Sequence, residues 1–168
     1  MSIIQVDSAA RRLRFGHLDI ACAIGKSGVC DAGAKREGDG CTPLGRWPVR
    51  GVLLRRARLA LNRMPQIAWR WTRQNDGWSD GVGDPAYNRP VYLPHGHSAE
   101  TLQREDEAYD VIIVLGHNDT PPIPNAGSAI FFHCWVEARP TEGCVAIAKA
   151  DMLAILPMLE PGTVVDIR

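Results

Sequence analysis

Hydrophobic residues come in short runs along this chain, divided by glycine, proline and small polar residues. Runs of that length between turn formers read as strands. Residues 3–6 and 11–15 flank Asp7-Ser8-Ala9-Ala10 and predict a hairpin. Residues 17–24 alternate, with Leu18, Ile20 and Cys22 on one side, and continue the meander. Thr42-Pro43-Leu44-Gly45 predicts a turn into a strand over 46–54, because proline presets φ and glycine accepts a positive one. Val111-Ile112-Ile113-Val114-Leu115 is unbroken, the pattern of a central strand buried on both faces. Residues 129–135 and 163–167 predict two more strands, the first of them in the core. Met152, Leu153, Ile155, Leu156 and Leu159 follow helical spacing, with Pro157 shortening the last turn. Ser98 is placed to cap a second short helix through Arg104. Residues 75–97 read mostly as loop, and loops of that length are commonly functional. The sum is a mainly β fold with one or two short helices, a single domain over 1–168, without repeats or heptads.

Composition narrows the picture by exclusion. With 168 residues, 45% of them hydrophobic, the chain can bury a core that needs no metal or disulfide. Lys plus Arg equals Asp plus Glu at 19 each, which points to neither a nucleic-acid nor a lipid-surface partner. Arg55, Arg56, Arg58, Arg63, Arg70 and Arg73 cluster, as a solvated edge or as the rim of a site for anions. No apolar run approaches about 18 residues, so no membrane span is expected. The first seven residues carry no basic start and no long apolar stretch, so they do not read as a secretory signal. That leaves cytoplasm, a removed leader or another export route. Five cysteines, Cys22, Cys30, Cys41, Cys134 and Cys144, leave at least one thiol free within the chain. A Cys30–Cys41 disulfide is open, against the rarity of disulfides in the cytosol.

The chemistry concentrates in the last third. Ile130-Phe131-Phe132-His133 is an apolar run that delivers an imidazole, and Gly143-Cys144 puts a thiol on a tight turn before another apolar run. A thiol attacks only as thiolate and needs a base or cation beside it. His133 is the candidate base, and acyl transfer through a thioester is the reaction this pairing fits. Cys134 follows His133 directly, so a regular strand turns it to the opposite face as a packing residue. The amides near Gly143 and Cys144 are candidates to hold an oxyanion. His117 ends the other central strand and is a candidate to line the same cleft, or a loop histidine without a role. The loop Lys35-Arg36-Glu37-Gly38-Asp39-Gly40 is either solvated or rims the cleft, with Lys35 meeting substrate carboxylates. His95-Gly96-His97, with Cys144, His133 or His117, is the one metal-like pattern; it lacks fixed ligand spacing, and no metal is expected. No phosphate-binding loop is present, and no cofactor is expected.

His133 followed by Thr141-Glu142-Gly143-Cys144-Val145 resembles the signature of the L,D-transpeptidase (YkuD-type) catalytic domain. Thr42-Pro43-Leu44-Gly45-Arg46-Trp47 resembles that family's Thr-Pro-x-Gly-aromatic turn. Residues 35–48, Asp76-Gly77-Trp78, residues 84–90, residues 115–119 and residues 127–153 resemble one short branch of it. The resemblance implies a β-sandwich enzyme of bacterial cell-wall metabolism, working in the cell envelope. Cys144 would attack the L,D bond of a peptidoglycan tetrapeptide stem and release D-alanine. The acyl group would then pass to a diaminopimelate amine, or to water. It further implies His133 as base, Gly143 in the oxyanion turn, substrate contacts from Trp78 and Thr141, and carbapenems as acylating inhibitors. Glu142 stands where many members carry histidine, Ala146 where many carry arginine, and the interval from His133 to Cys144 is shorter than usual. Arg139, in that interval, is the candidate replacement cation. A hydrolase with the same site, a non-catalytic wall-binding module and a zinc protein are the alternatives.

Overall fold

Ile4, Val6, Leu13 and Phe15 alternate with more exposed neighbours, and the strands that carry them, β1 (Ile3–Asp7) and β2 (Arg12–Phe15), pair antiparallel. In the computed structural model, which describes residues 2–168, the meander continues into β3 (Leu18–Ala21). The path through the large sheet runs β13 (Val145–Ile147), β12 (Phe131–Cys134), β11 (Val111–Leu115), β6 (Gly45–Leu54), β14 (Val164–Ile167), β1, β2, β3. A further strand, β7 (Trp69–Trp71), pairs with β6 and completes nine. The fold is mainly β.

β6 joins two layers. Its first half, Gly45–Pro48, pairs with β14, and its second half, from Val49, pairs with β11. The layers face one another across the main core. Ile4, Val6, Leu13 and Val165 enter it from one side, and Val52, Ile113, Phe132 and Val145 from the other. Burying such side chains contributes about 1.5–3 kcal/mol each. The layers also meet along a second seam. Beyond β3, Ala23 exchanges two backbone hydrogen bonds with Ala146 of β13, at 2.8 and 2.9 Å. α1 (Lys149–Ile155) packs Met152 and Ile155 into the same core and tightens to a 3-10 turn at Leu156–Met158, where Pro157 sits.

The strands of the second layer are buried on both faces. Leu53, Ile112 and Phe131 point away from the main core into a smaller cluster with Leu102, Tyr109 and Cys144. That outer face carries the site. A three-stranded sheet adjoins it: β9 (Pro90–Tyr92), β8 (Asp76–Ser79) and β10 (Ala99–Thr101).

Two expectations are corrected here. Residues 98–104 form no helix: Ala99–Thr101 is a strand, because the edge of β8 supplies its backbone partners. The stretch 75–97 is mostly loop, as expected, with β8 and β9 set into it. Thr42–Pro43 is not simply a turn; as β5 it pairs parallel with β4 (Val29–Cys30). Beside that pairing Cys30 and Cys41 form a disulfide, so the loop between them is closed covalently. Replacing both cysteines by serine is expected to cost about 3 kcal/mol, the loop-entropy effect for this separation. Urea unfolding should show a lower midpoint, with a slope equal or steeper because the unfolded chain is no longer cross-linked. A loss below about 0.5 kcal/mol would mean that other contacts hold the loop.

Candidate active site

Strand alternation sets the orientation of the two central groups. Phe132 and Cys134 of β12 enter the main core, so Phe131 and His133 face outward. β13 runs parallel to β12 with Val145 opposite Phe132, which brings Cys144 alongside Phe131. The Phe131 amide donates to Cys144 Sγ at 3.4 Å, and Sγ donates to the Ala129 carbonyl at 3.3 Å. Thiol and imidazole line one cleft of about 590 Å³. Among the described residues no hydrogen bond joins them.

His133 Nδ1 lies 2.7 Å from the carbonyl of Cys134. A carbonyl only accepts, so the ring proton sits on Nδ1 and Nε2 keeps its lone pair. Burial pushes the imidazole down to about 4, opposed by the carbonyls of Cys134 and Ala108. Burial also pushes the Cys144 thiol up to about 12, opposed by the Phe131 amide and, more weakly, by the Lys35 charge. At neutral pH the pair is therefore a protonated thiol beside a neutral imidazole. That imidazole is in the state a general base requires, and the thiolate forms only as the base takes its proton.

The turn carrying the thiol is tied from within. Thr141 Oγ1 donates to the Cys144 carbonyl at 2.7 Å and accepts from the Gly143 amide at 3.1 Å. Thr42 Oγ1 donates to the same carbonyl at 3.2 Å. Two expectations change. The Gly143 amide, expected at the oxyanion, is already engaged, and Thr141, expected to hold substrate, spends its hydroxyl on the turn. Gly143 matters for its conformation: φ is +139°, and a Cβ there would stand 2.9 Å from the Cys41 carbonyl oxygen.

The remaining candidates divide. Lys35 lines the cleft and is only 2% exposed. Arg139 lies at the rim, exposed and paired with Glu137. Trp78 does not line the cleft. It packs edge-on against Phe131 at 5.1 Å and donates to Asn88 Oδ1, supporting the floor from behind. His117 lies apart as well, edge-on to Trp47 at 4.8 Å and lining a second cavity. His95 bonds Asp84 at 2.6 Å, away from the thiol. The arginine cluster serves the chain itself: Arg55 and Arg58 donate to the carbonyls of Arg104 and Glu105, and Arg70 pairs with Asp76. None of them lines the cleft.

His117 carries a stability prediction. Burial first, then the Lys35 charge, push it down to about 4, and its Nδ1 is buried without a partner. Its folded value lies below the unfolded 6.5, so its contribution is present above pH 6.5 and lost as pH falls toward 4. His117→Phe should remove about 3 kcal/mol of acid sensitivity in that window and leave stability at pH 7 equal or higher. Melting curves from pH 4 to pH 7 check this; an acid limb as steep as the parent's would refute it.

Sequence reasoning missed the wall around His133. Tyr109 stands edge-on to the imidazole at 5.2 Å and donates to Glu100 Oε1 at 2.6 Å. Arg104 lies over the Tyr109 ring and pairs with Asp106. Tyr109 precedes β11 by two residues, and an aromatic so near a central strand was the available signal. Glu100 and Arg104 gave none, because β10 positions one and a tertiary stacking contact the other.

Against known proteins, residues 1–167 match the family described as the L,D-transpeptidase catalytic domain, YkuD. A crystal structure of the L,D-transpeptidase (residues 123–326) from Xylanimonas cellulosilytica DSM 15894 is similar at 12% identity and a TM-score of 0.44. The likeness covers 99% of this chain and 60% of that one. No curated protein is similar enough to be matched. The match over nearly the whole length settles the family: this chain belongs to the YkuD L,D-transpeptidase catalytic domains.

Proposed function

We propose that the protein is a cysteine acyltransferase that acts on peptidoglycan tetrapeptide stems through a Cys144 thioester. Family membership supports an L,D-transpeptidase-type function on peptidoglycan. The observation that supports the finer reading is the shared cleft, which both the Cys144 thiol and the His133 imidazole line, the latter with Nδ1 held on the Cys134 carbonyl. His133 Nε2 takes the thiol proton as sulfur attacks the carbonyl that precedes the terminal D-alanine. The tetrahedral adduct collapses, His133 returns the proton to the leaving amine, and D-alanine departs. An acceptor amine then attacks the thioester while His133 takes its proton, the C–S bond breaks, and His133 returns the proton to the Cys144 thiolate. The carboxylates of Glu37, Asp80 and Glu100 line the same cleft, a lining suited to an ammonium-bearing acceptor over water. Hydrolysis follows the same steps with water in that place.

Intact-mass measurement after incubation with a carbapenem tests the reading, since the strained lactam acylates the same sulfur. One adduct per chain is expected. Absence of any adduct on folded protein would overturn the thioester and leave a binding module. Product analysis of tetrapeptide stems with and without an added amine then separates transfer from hydrolysis.

A further inference from the structure

The turn at Gly143 leaves the developing oxyanion short of a donor. Attack on a carbonyl places negative charge on its oxygen, and preorganised donors aimed there are commonly the largest single source of rate. The Gly143 amide is committed to Thr141 Oγ1, which leaves the amides of Glu142 and Cys144 as the turn's uncommitted backbone donors.

The Lys35 ammonium lies beside this turn and lines the cleft. Its side chain runs between two glycines. A Cβ on Gly127 would stand 2.9 Å from Lys35 Cγ and 3.1 Å from Cε, and one on Gly143 would stand 3.5 Å from Nζ. Lysine is almost never so fully buried unless paired. Here Nζ donates to Asp39 and to the Arg36 carbonyl, the latter at 3.1 Å. An ammonium has three N–H donors, so one remains. The other cations of the cleft are occupied elsewhere: Arg104 with Asp106 and the Tyr109 ring, Arg139 with Glu137 at the exposed rim. Ala146 is fully buried and bonded through its backbone to Ala23, so the β13 side of the thiol has no room for a long cation. The charge arrives instead from the loop that the Cys30–Cys41 disulfide closes.

We propose that Lys35 is a catalytic residue whose third N–H, together with the Cys144 amide, forms the oxyanion site. This assignment rests on the thioester reading. As the C–S bond forms, the thiol proton moves to His133 Nε2 and the carbonyl π pair moves onto oxygen, where the Lys35 ammonium faces it. When that pair returns, the C–N bond breaks and the amine leaves with the proton from His133. Lys35 keeps its own protons throughout.

The test is the rate of carbapenem acylation, followed by rapid mixing and intact mass, in the parent and in a Lys35→Met/Asp39→Asn double variant. The second change avoids leaving a lone carboxylate. Acylation should fall about 10²–10³-fold, while the initial binding constant moves less than about threefold. Asp39→Asn alone, which keeps the ammonium, should stay within about tenfold of the parent, and methylammonium should partly restore Lys35→Ala/Asp39→Asn. If the methionine variant does not fold, Lys35→Leu/Asp39→Asn, which also lacks a donor, takes its place, with the same loss expected. A folded double variant that acylates within about threefold of an active parent overturns the role of Lys35 alone. A parent that takes no carbapenem removes the thioester and this role together.

Discussion

Cys144→Ala protein is expected to take no carbapenem adduct and to lose stem-peptide turnover by a factor on the order of 10⁴ or more. The change is sterically mild. It removes the weak contacts of Sγ with the Phe131 amide and the Ala129 carbonyl, for a stability cost of about 1 kcal/mol. Loss of activity with a near-parent melting curve would therefore report on chemistry. The remaining free thiols offer no substitute. Cys22 and Cys134 sit in the main core, and burial holds them up at about 11 and about 12. An adduct that persists in the alanine variant would place the nucleophile elsewhere and refute the assignment.

His133→Asn is expected to slow acylation by about 10²–10⁴-fold with little change in binding. Asparagine can still donate to the Cys134 carbonyl, so the substitution removes the base while keeping the bond that orients it. The pH profile separates catalysis from structure. With His133 depressed to about 4, the parent should keep its acylation rate on acidification well past 6.5 and lose it only as pH approaches 4. The variant should lack that limb and gain rate with rising pH toward about 12, as the thiol ionises without help. A variant within about tenfold of the parent at pH 7 would show that His133 is not the base.

The site was legible wherever it depends on period-two alternation. Phe131-Phe132-His133-Cys134 states by itself that one of the last two residues faces the core, and the pairing of β12 with β13 then brings Cys144 beside Phe131. The helix and its Pro157 ending were legible for the same local reason. What escaped depends on partners distant in sequence. Ser98–Arg104 has the composition of a capped turn, but β8 offers Ala99–Thr101 a strand edge. Trp78 belongs to a recognisable segment, yet whether it reaches the cleft or the back of Phe131 is decided by the small sheet it sits on. Gly143 reads as an oxyanion amide until Thr141, two residues earlier, is seen to hold it. Lys35 reads as a charge of a solvated or cleft-rimming loop, and its near-complete burial escapes because neither its enclosure by Gly127 and Gly143 nor the disulfide around its loop is a local property.

The contact of Ala23 with Ala146 bears on how a peptide is read. An open strand beside a nucleophile invites a substrate to extend the sheet, so that main-chain bonds provide affinity regardless of side chains. Here the outer margin of β13 is already occupied by the chain's own backbone. Affinity for a peptide at this margin then has to come from its side chains and ends and not from an added strand beside β13.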